Sequence, residues 1–205
     1  MPRTVFQTVQ KNLEGVHTPR ITCACTSDQG SRLFLGNQQG ALVAYEVQTA
    51  HRVQCEHLGV VREADRTPIS QLEVVQAWRV LFAVTGGSHS DGTLLAFEMG
   101  DATYTHMHLG LEVRGCGGVA VSEPGRLVAI VGKRRLTVAK WENRRLEAFR
   151  EIALEESPRA CAFIGDGASG FVTPAVNSAS SVCVAFRKKY LLIDAGGGGG
   201  GGGGG

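Results

Sequence analysis

The sequence has 205 residues, and the last ten, Gly196 to Gly205, are all glycine, which leaves 195 that can build a domain with a hydrophobic core. At 43% hydrophobic and 20% charged the composition is that of an ordinary globular chain, not a disordered or fibrous one. No apolar stretch approaches the roughly 18 residues of a membrane-spanning helix. The opening MPRTVFQTVQKNLEG has no apolar signal core, and a net charge of +2 is too small for nucleic-acid binding over the whole surface.

In chain order, residues 1–20 form a lead-in, within which Val9 to Val16 reads as helical or irregular. From Ile21 onward the apolar period is two. The runs are ITCACT (21–26), RLFLG (32–36), ALVAYEV (41–47) and HRVQCEHL (51–58), then ISQLEVV (69–75), RVLFAVT (79–85), TLLAFEM (93–99) and TYTHMHL (103–109). GVAVS (118–122), RLVAIVG (126–132), RLTVAKW (135–141) and LEAFREIAL (146–154) follow, and RACAFI (159–164), SVCVAF (181–186) and YLLID (190–194) close the series. These are strand lengths separated by hairpin-sized gaps. On spacing alone LEAFREIALEE (146–156) also fits a short helix.

The runs repeat in fours. First strands begin at Ile21, Ile69, about Gly117 and about Arg159, in steps of 48, 48 and 42 residues. A four-strand unit of roughly 40 to 50 residues is the signature of a propeller blade. In each unit the second strand carries the densest apolar run, whereas the fourth strands HRVQCEHL and TYTHMHL are polar, as expected for an outermost strand that faces water. The expected fold is all-β: a partial β-propeller with three complete four-stranded antiparallel blades and a fourth that stops after its third strand. The propeller spans 21–194 and reads as the N-terminal part of a larger ring or as a truncated gene product, because rings of this kind need about four to eight blades to close. The glycine tail, 195–205 with Ala195, is expected to be disordered, having no side chains to bury.

Three stretches carry a family resemblance: ISQLEVVQAWRVLFAV, VGKRRLTVAKWENRRLEAFREI, and SPRACAFI with SVCVAFRKKYLLID. Together with ITCACTSDQGSRLFLGNQQGALVAYEV as a first blade, they resemble the citron homology domain. The nearest version opens the Vam6-type vacuolar sorting proteins and the related transforming-growth-factor-β-receptor-associated protein. The resemblance runs from about Ile21 to Asp194. It implies a propeller in a subunit of the HOPS or CORVET tethering complexes, which bridge endosomes, vacuoles or lysosomes and engage Rab-family small GTPases. It also implies a cytoplasmic, peripheral membrane location. The alternative is the regulatory citron homology propeller of a signalling protein, a citron-type kinase or Rho exchange factor. An unrelated WD-type scaffold is a third reading, lowered by the absence of a WD dipeptide.

Catalytic chemistry finds no support. GDGASG (165–170) spells G-x-G-x-x-G, but FVTPAVNSASS follows it where a dinucleotide loop needs a helix. GKR (132–134) lacks the rest of a phosphate loop. GGSHSDG (86–92) packs Ser, His and Asp too closely in sequence for triad geometry. His106 with His108, and Cys23 with Cys25, alternate on strands as two-ligand pairs, without the third and fourth ligands a zinc site needs. The six cysteines read as reduced thiols, since four of them (Cys23, Cys25, Cys161 and Cys183) sit in apolar strand runs and no CxxC occurs. No catalytic, cofactor or metal site is therefore expected.

One charge feature stands out. The turn between second and third strands is neutral in the first two units (NQQG, GGSHSDG) but carries Lys133, Arg134 and Arg135 in the third and Arg187, Lys188 and Lys189 in the fourth. Residues 1–110 hold 8 basic and 10 acidic groups, and the remainder 13 and 9. If the units are adjacent blades, these turns meet as one basic patch, a candidate partner-binding surface for an acidic protein or anionic lipid headgroups.

Overall fold

The computed structural model describes residues 13–27, 29–49, 52–86, 92–113, 115–164 and 181–195. The lead-in before Leu13, the GDGASG stretch, residues 87–91 of GGSHSDG and the glycine tail therefore lie outside the described residues. Fifteen strands fall into four antiparallel sheets, each wound in sequence order. The first blade is β1 (Ile21–Thr26), β2 (Arg32–Asn37), β3 (Leu42–Thr49) and β4 (Val53–Arg62). The second is β5 (Ile69–Val75), β6 (Val80–Thr85), β7 (Leu94–Met99) and β8 (Tyr104–His106). The third is β9 (Gly118–Ser122), β10 (Leu127–Gly132), β11 (Arg135–Glu142) and β12 (Arg145–Ala153). The fourth has three strands, β13 (Ala160–Ile164), β14 (Ser181–Ala185) and β15 (Tyr190–Asp194). Among the described residues no helix is long and apolar enough to cross a membrane.

The first strands neighbour one another in series, β1 beside β5, β5 beside β9 and β9 beside β13. The blades therefore fan outward from their first strands, the radial arrangement of a β-propeller, here with three full blades and a partial fourth. Second strands are sandwiched between neighbours, which explains their unbroken apolar runs. On β10, Val128 and Ile130 pack toward the second blade, while Leu127, Ala129 and Val131 pack toward the fourth. Between the first two blades Phe34, Leu42 and Ala44 meet Ile69, Leu72, Leu81 and Ala83. A side chain also staples the second blade to the third: the Gln71 amide donates to the Val119 carbonyl at 2.6 Å and accepts its N–H at 3.0 Å.

Two features differ from the sequence expectation. Residues 146–156 form no helix, because most of them belong to β12, which pairs along β11. The register slips where Val138 faces Arg150 and Ala139 faces Ala148, leaving Phe149 as the extra residue of a bulge. That insertion breaks the two-residue alternation, sends Leu146 and Ile152 to opposite faces, and so mimics helical spacing. Residues between β5 and β6 form a single 3-10 turn, Gln76–Trp78, which no periodicity announced. As the density of their apolar runs implies, the second strands are the most buried, while β1 and β13 are exposed over much of their length because each borders an end of the open ring.

The described part of the lead-in runs against the first blade. Glu14 bridges to Gln54 in parallel fashion, and its carbonyl accepts the Cys55 N–H at 2.8 Å. Gly15 is required there, since its φ is +86° and a Cβ would stand 1.9 Å from the Cys55 carbonyl oxygen. Val16 packs on the face formed by Leu33, Leu35, Val43 and Tyr45, and the Thr18 hydroxyl meets the Tyr45 hydroxyl at 2.8 Å. The corresponding outer face of the fourth blade, which includes Ile164 and Leu192, is left exposed.

Candidate functional site: two basic turns on one face

Turns joining second to third strands lie at one end of the blades, and the connectors from one blade to the next run past the same end. Backbone bonds show this in each complete blade. Arg66 N–H donates to the Gln39 carbonyl at 2.8 Å, Cys116 N–H to that of Gly92 at 2.9 Å, and Leu154 N–H to that of Arg134 at 2.8 Å. In the third blade this regularity lays Leu154, Glu155 and Glu156 alongside the Lys133–Arg135 turn. Leu154 anchors the connector by sharing a buried cluster with Leu136 and Phe186.

The two basic turns come together around Glu155. Arg134 Nε donates to the Glu155 main-chain oxygen at 3.0 Å, and Lys189 Nζ reaches the Glu155 carboxylate at 3.0 Å. Lys189 also pairs with Glu156 at 3.3 Å and lies over the Phe186 ring at 5.6 Å. These carboxylates hold the Lys189 ammonium above its ordinary pKa. Arg135 pairs with Glu151 at 3.8 Å across the β11–β12 ladder. The six cations expected at these turns are thus on one face, but three carboxylates stand among them, leaving a net charge of +3. The sequence reading missed Glu151, Glu155 and Glu156, because it allowed a helix where a strand and a returning connector stand.

Lys133, Arg187 and Lys188 are exposed, and none of them has an ion pair among the described residues. Beside the third-blade turn lies a depression of about 620 Å³ lined by Gly115, Lys133, Arg134, Arg135, Glu151, Ile152 and Ala153. A second depression, of about 430 Å³ at the opposite end of the blades, holds Arg32 and Arg79. Its cations are already committed. Arg32 donates to the carbonyls of Gly100 and Asp101, both at 2.7 Å, and Arg79 donates to the Met99 carbonyl and faces Asp101.

Of the remaining sequence candidates, Cys23 and Cys25 stay together on β1 against one cluster, whereas the two histidines part. β8 ends at His106, which stacks edge-on against Phe97, while His108 lies beyond the strand and accepts the Gly110 N–H at 3.2 Å. The two histidines therefore do not share a strand face. Among the described residues no three His, Cys, Asp or Glu side chains are grouped as metal ligands.

All six cysteines are free thiols. Burial pushes Cys25 and Cys161 up to about 12 and Cys116 up to about 11; nearby Glu73 adds to the first two, and Cys116 adds to Cys161. At pH 8 these three are protonated in the folded chain and poor nucleophiles. Iodoacetamide at that pH should leave them unmodified until urea is added, as read by peptide mass spectrometry. The stabilising contribution is complete below the ordinary thiol value of 9.0 and is lost as pH climbs toward 12, so the urea midpoint should fall over that window.

Blades wound in order around their first strands, with binding groups carried on turns rather than in a cleft, define the class: a β-propeller. No protein-family model matches the chain, and no curated protein does. Among solved structures, the fold is similar to the β-propeller domain of Cps50 (Swd1) from Myceliophteria thermophila, with a TM-score of 0.60 at 13% identity over 85% of this chain and 53% of that one. It is also similar to Sqt1 from Saccharomyces cerevisiae, with a TM-score of 0.51 at 12% identity over 87% of this chain and 59% of that one. At this identity the likeness is one of fold alone, and it does not single out a citron homology domain. The chain spans little more than half the length of either.

Proposed function

We propose that this chain is a non-catalytic interaction module, a citron-homology-type propeller of a vesicle-tethering subunit acting in endosome-to-vacuole or lysosome transport. Its mechanism is recognition by turns held on rigid blades, where the scaffold fixes their spacing and the turns supply the chemistry. The observation that carries this reading is the convergence of the Lys133–Arg135 and Arg187–Lys189 turns on one face, with exposed cations left unpaired. The family resemblance supplies the biological setting: a Rab-family GTPase and other HOPS- or CORVET-type subunits as partners, met at the cytoplasmic side of the membrane.

Purified tethering subunits and GTP-loaded Rab proteins test the proposal in pull-downs with the chain as bait. Retention of a tethering subunit or a Rab protein is the expected result. Binding of Rho-family GTPases alone would transfer the chain to the signalling branch of the resemblance. Binding of none of them would remove the tethering role.

A further inference from the structure

We propose that the basic face formed by the third and fourth blades receives a short acidic stretch of a partner protein, with Lys133, Arg187 and Lys188 as the cations that meet it. This rests on the interaction-module reading and narrows it to the partner's chemistry.

The cations differ in what they have left to offer. Arg135 and Lys189 are neutralised by Glu151, Glu155 and Glu156, and Arg134 spends its Nε on a main-chain oxygen. Lys133, Arg187 and Lys188 stay exposed on the tips of the turns, so an incoming carboxylate displaces only water. Next to Lys133 the surface is concave, with room of about 620 Å³ for side chains to enter.

The interleaved carboxylates select against extended anionic surfaces. Glu155, with its side chain 88% exposed, and Glu156 stand between the two turns. A bilayer of anionic headgroups or a nucleic-acid backbone offers negative charge at every position, so it cannot meet the cations without also facing these carboxylates. A polypeptide can place Asp or Glu opposite Lys133, Arg187 and Lys188 and neutral or basic residues opposite Glu155 and Glu156. Polar complementarity of this kind sets specificity and weakens with salt.

The test uses the full 205-residue chain and a fluorescein-labelled Glu–Ser repeat peptide of about a dozen residues, followed by anisotropy. Wild-type binding should weaken about tenfold between about 20 and about 150 mM salt, as screening shortens the reach of these charges. The variant K133S/R187S/K188S should lose about tenfold or more at low salt, with an unchanged thermal melt, because none of the three has an ion pair among the described residues. The variant E155Q/E156Q should instead bind several-fold tighter, since it removes repulsion and frees Lys189. A merely structural role for these residues would not produce that gain.

Unchanged affinity in the triple variant, or weaker binding in E155Q/E156Q, would overturn the proposal. So would co-sedimentation of the wild type, but not the triple variant, with phosphatidylcholine vesicles containing phosphatidylserine, which would assign the face to lipid. Neither probe contains a tethering subunit, so failure here is separable from failure of the pull-down.

Discussion

Replacing Trp141 by Ala should cost the folded chain about 3–5 kcal/mol, the range for deleting a large buried aromatic. Trp141 sits on β11 at 3% exposure, and its ring lies parallel to that of Trp78 at 5.4 Å with 6° between planes. Phe82 meets it edge-on at 5.9 Å. Trp78 comes from the 3-10 turn of the second blade and Phe82 from that blade's β6, so one indole of the third blade packs against two aromatic rings of the second. Removing it leaves a cavity at a blade interface, not at the rim, and the flanking sheets cannot collapse into it without losing register. Trp78→Ala should cost less, since Trp78 is only half-buried and its partner stays packed on Phe82. The stacking itself contributes about 0.5–1.5 kcal/mol. Urea unfolding of the two variants reads the difference, and a Trp141→Ala midpoint no lower than that of Trp78→Ala would refute this packing.

Gly36→Val should be comparably severe. Gly36 lies on β2 where the first blade approaches the second, and a Cβ there would fall 2.7 Å from the Ile69 Cβ and 2.7 Å from the Cys23 sulfur. Carbon atoms attract at about 3.5–4.0 Å, so the added group is repelled from both sides. Even Gly36→Ala is expected to cost about 1–3 kcal/mol, and the branched side chain more. The Ile69 Cβ is attached directly to the β5 backbone, so no rotamer change relieves the clash and the two blades must separate. Thermal melts check this; a Gly36→Ala variant that melts like the wild type would mean that the interface breathes more than its packing implies.

Much of the architecture was legible because each strand advertises its own environment. RLFLG, RVLFAVT and RLVAIVG are apolar throughout since both faces of each second strand are covered, and their recurrence located the blades. An arginine opens each of these runs, and the structure gives it a recurrent task. Arg79 and Arg126 both have positive φ and donate Nε to a third-strand carbonyl, while Arg32 reaches across to Gly100 and Asp101. Nothing in the periodicity discloses that role, because the acceptors are main-chain atoms without a sequence signature. The basic turns were visible as Lys133–Arg135 and Arg187–Lys189, and their adjacency follows from the blade repeat. Their partial neutralisation was not visible. Glu155 belongs to a connector, and its position depends on the Leu154–Arg134 bond that folds this connector back along the turn. In β12 the bulge at Phe149 erased the alternation that identified the other strands.

The open ring also sets the order in which the molecule comes apart. Among the described residues the main contacts between blades join neighbours in series, β1 with β5, β5 with β9 and β9 with β13, so cohesion passes along a line, as in a stacked array. Among the described residues the second and third blades are held on both flanks, whereas the fourth is held on one, and its last strand, β15, pairs only with β14. Amide protons of β14 and β15 should therefore exchange soonest among the paired strands and those of β6 and β10 last, as measured by mass spectrometry after deuterium labelling. Any contact that secures the outer flank of the fourth blade then acts as a zipper stop, slowing exchange several sheets away without touching them.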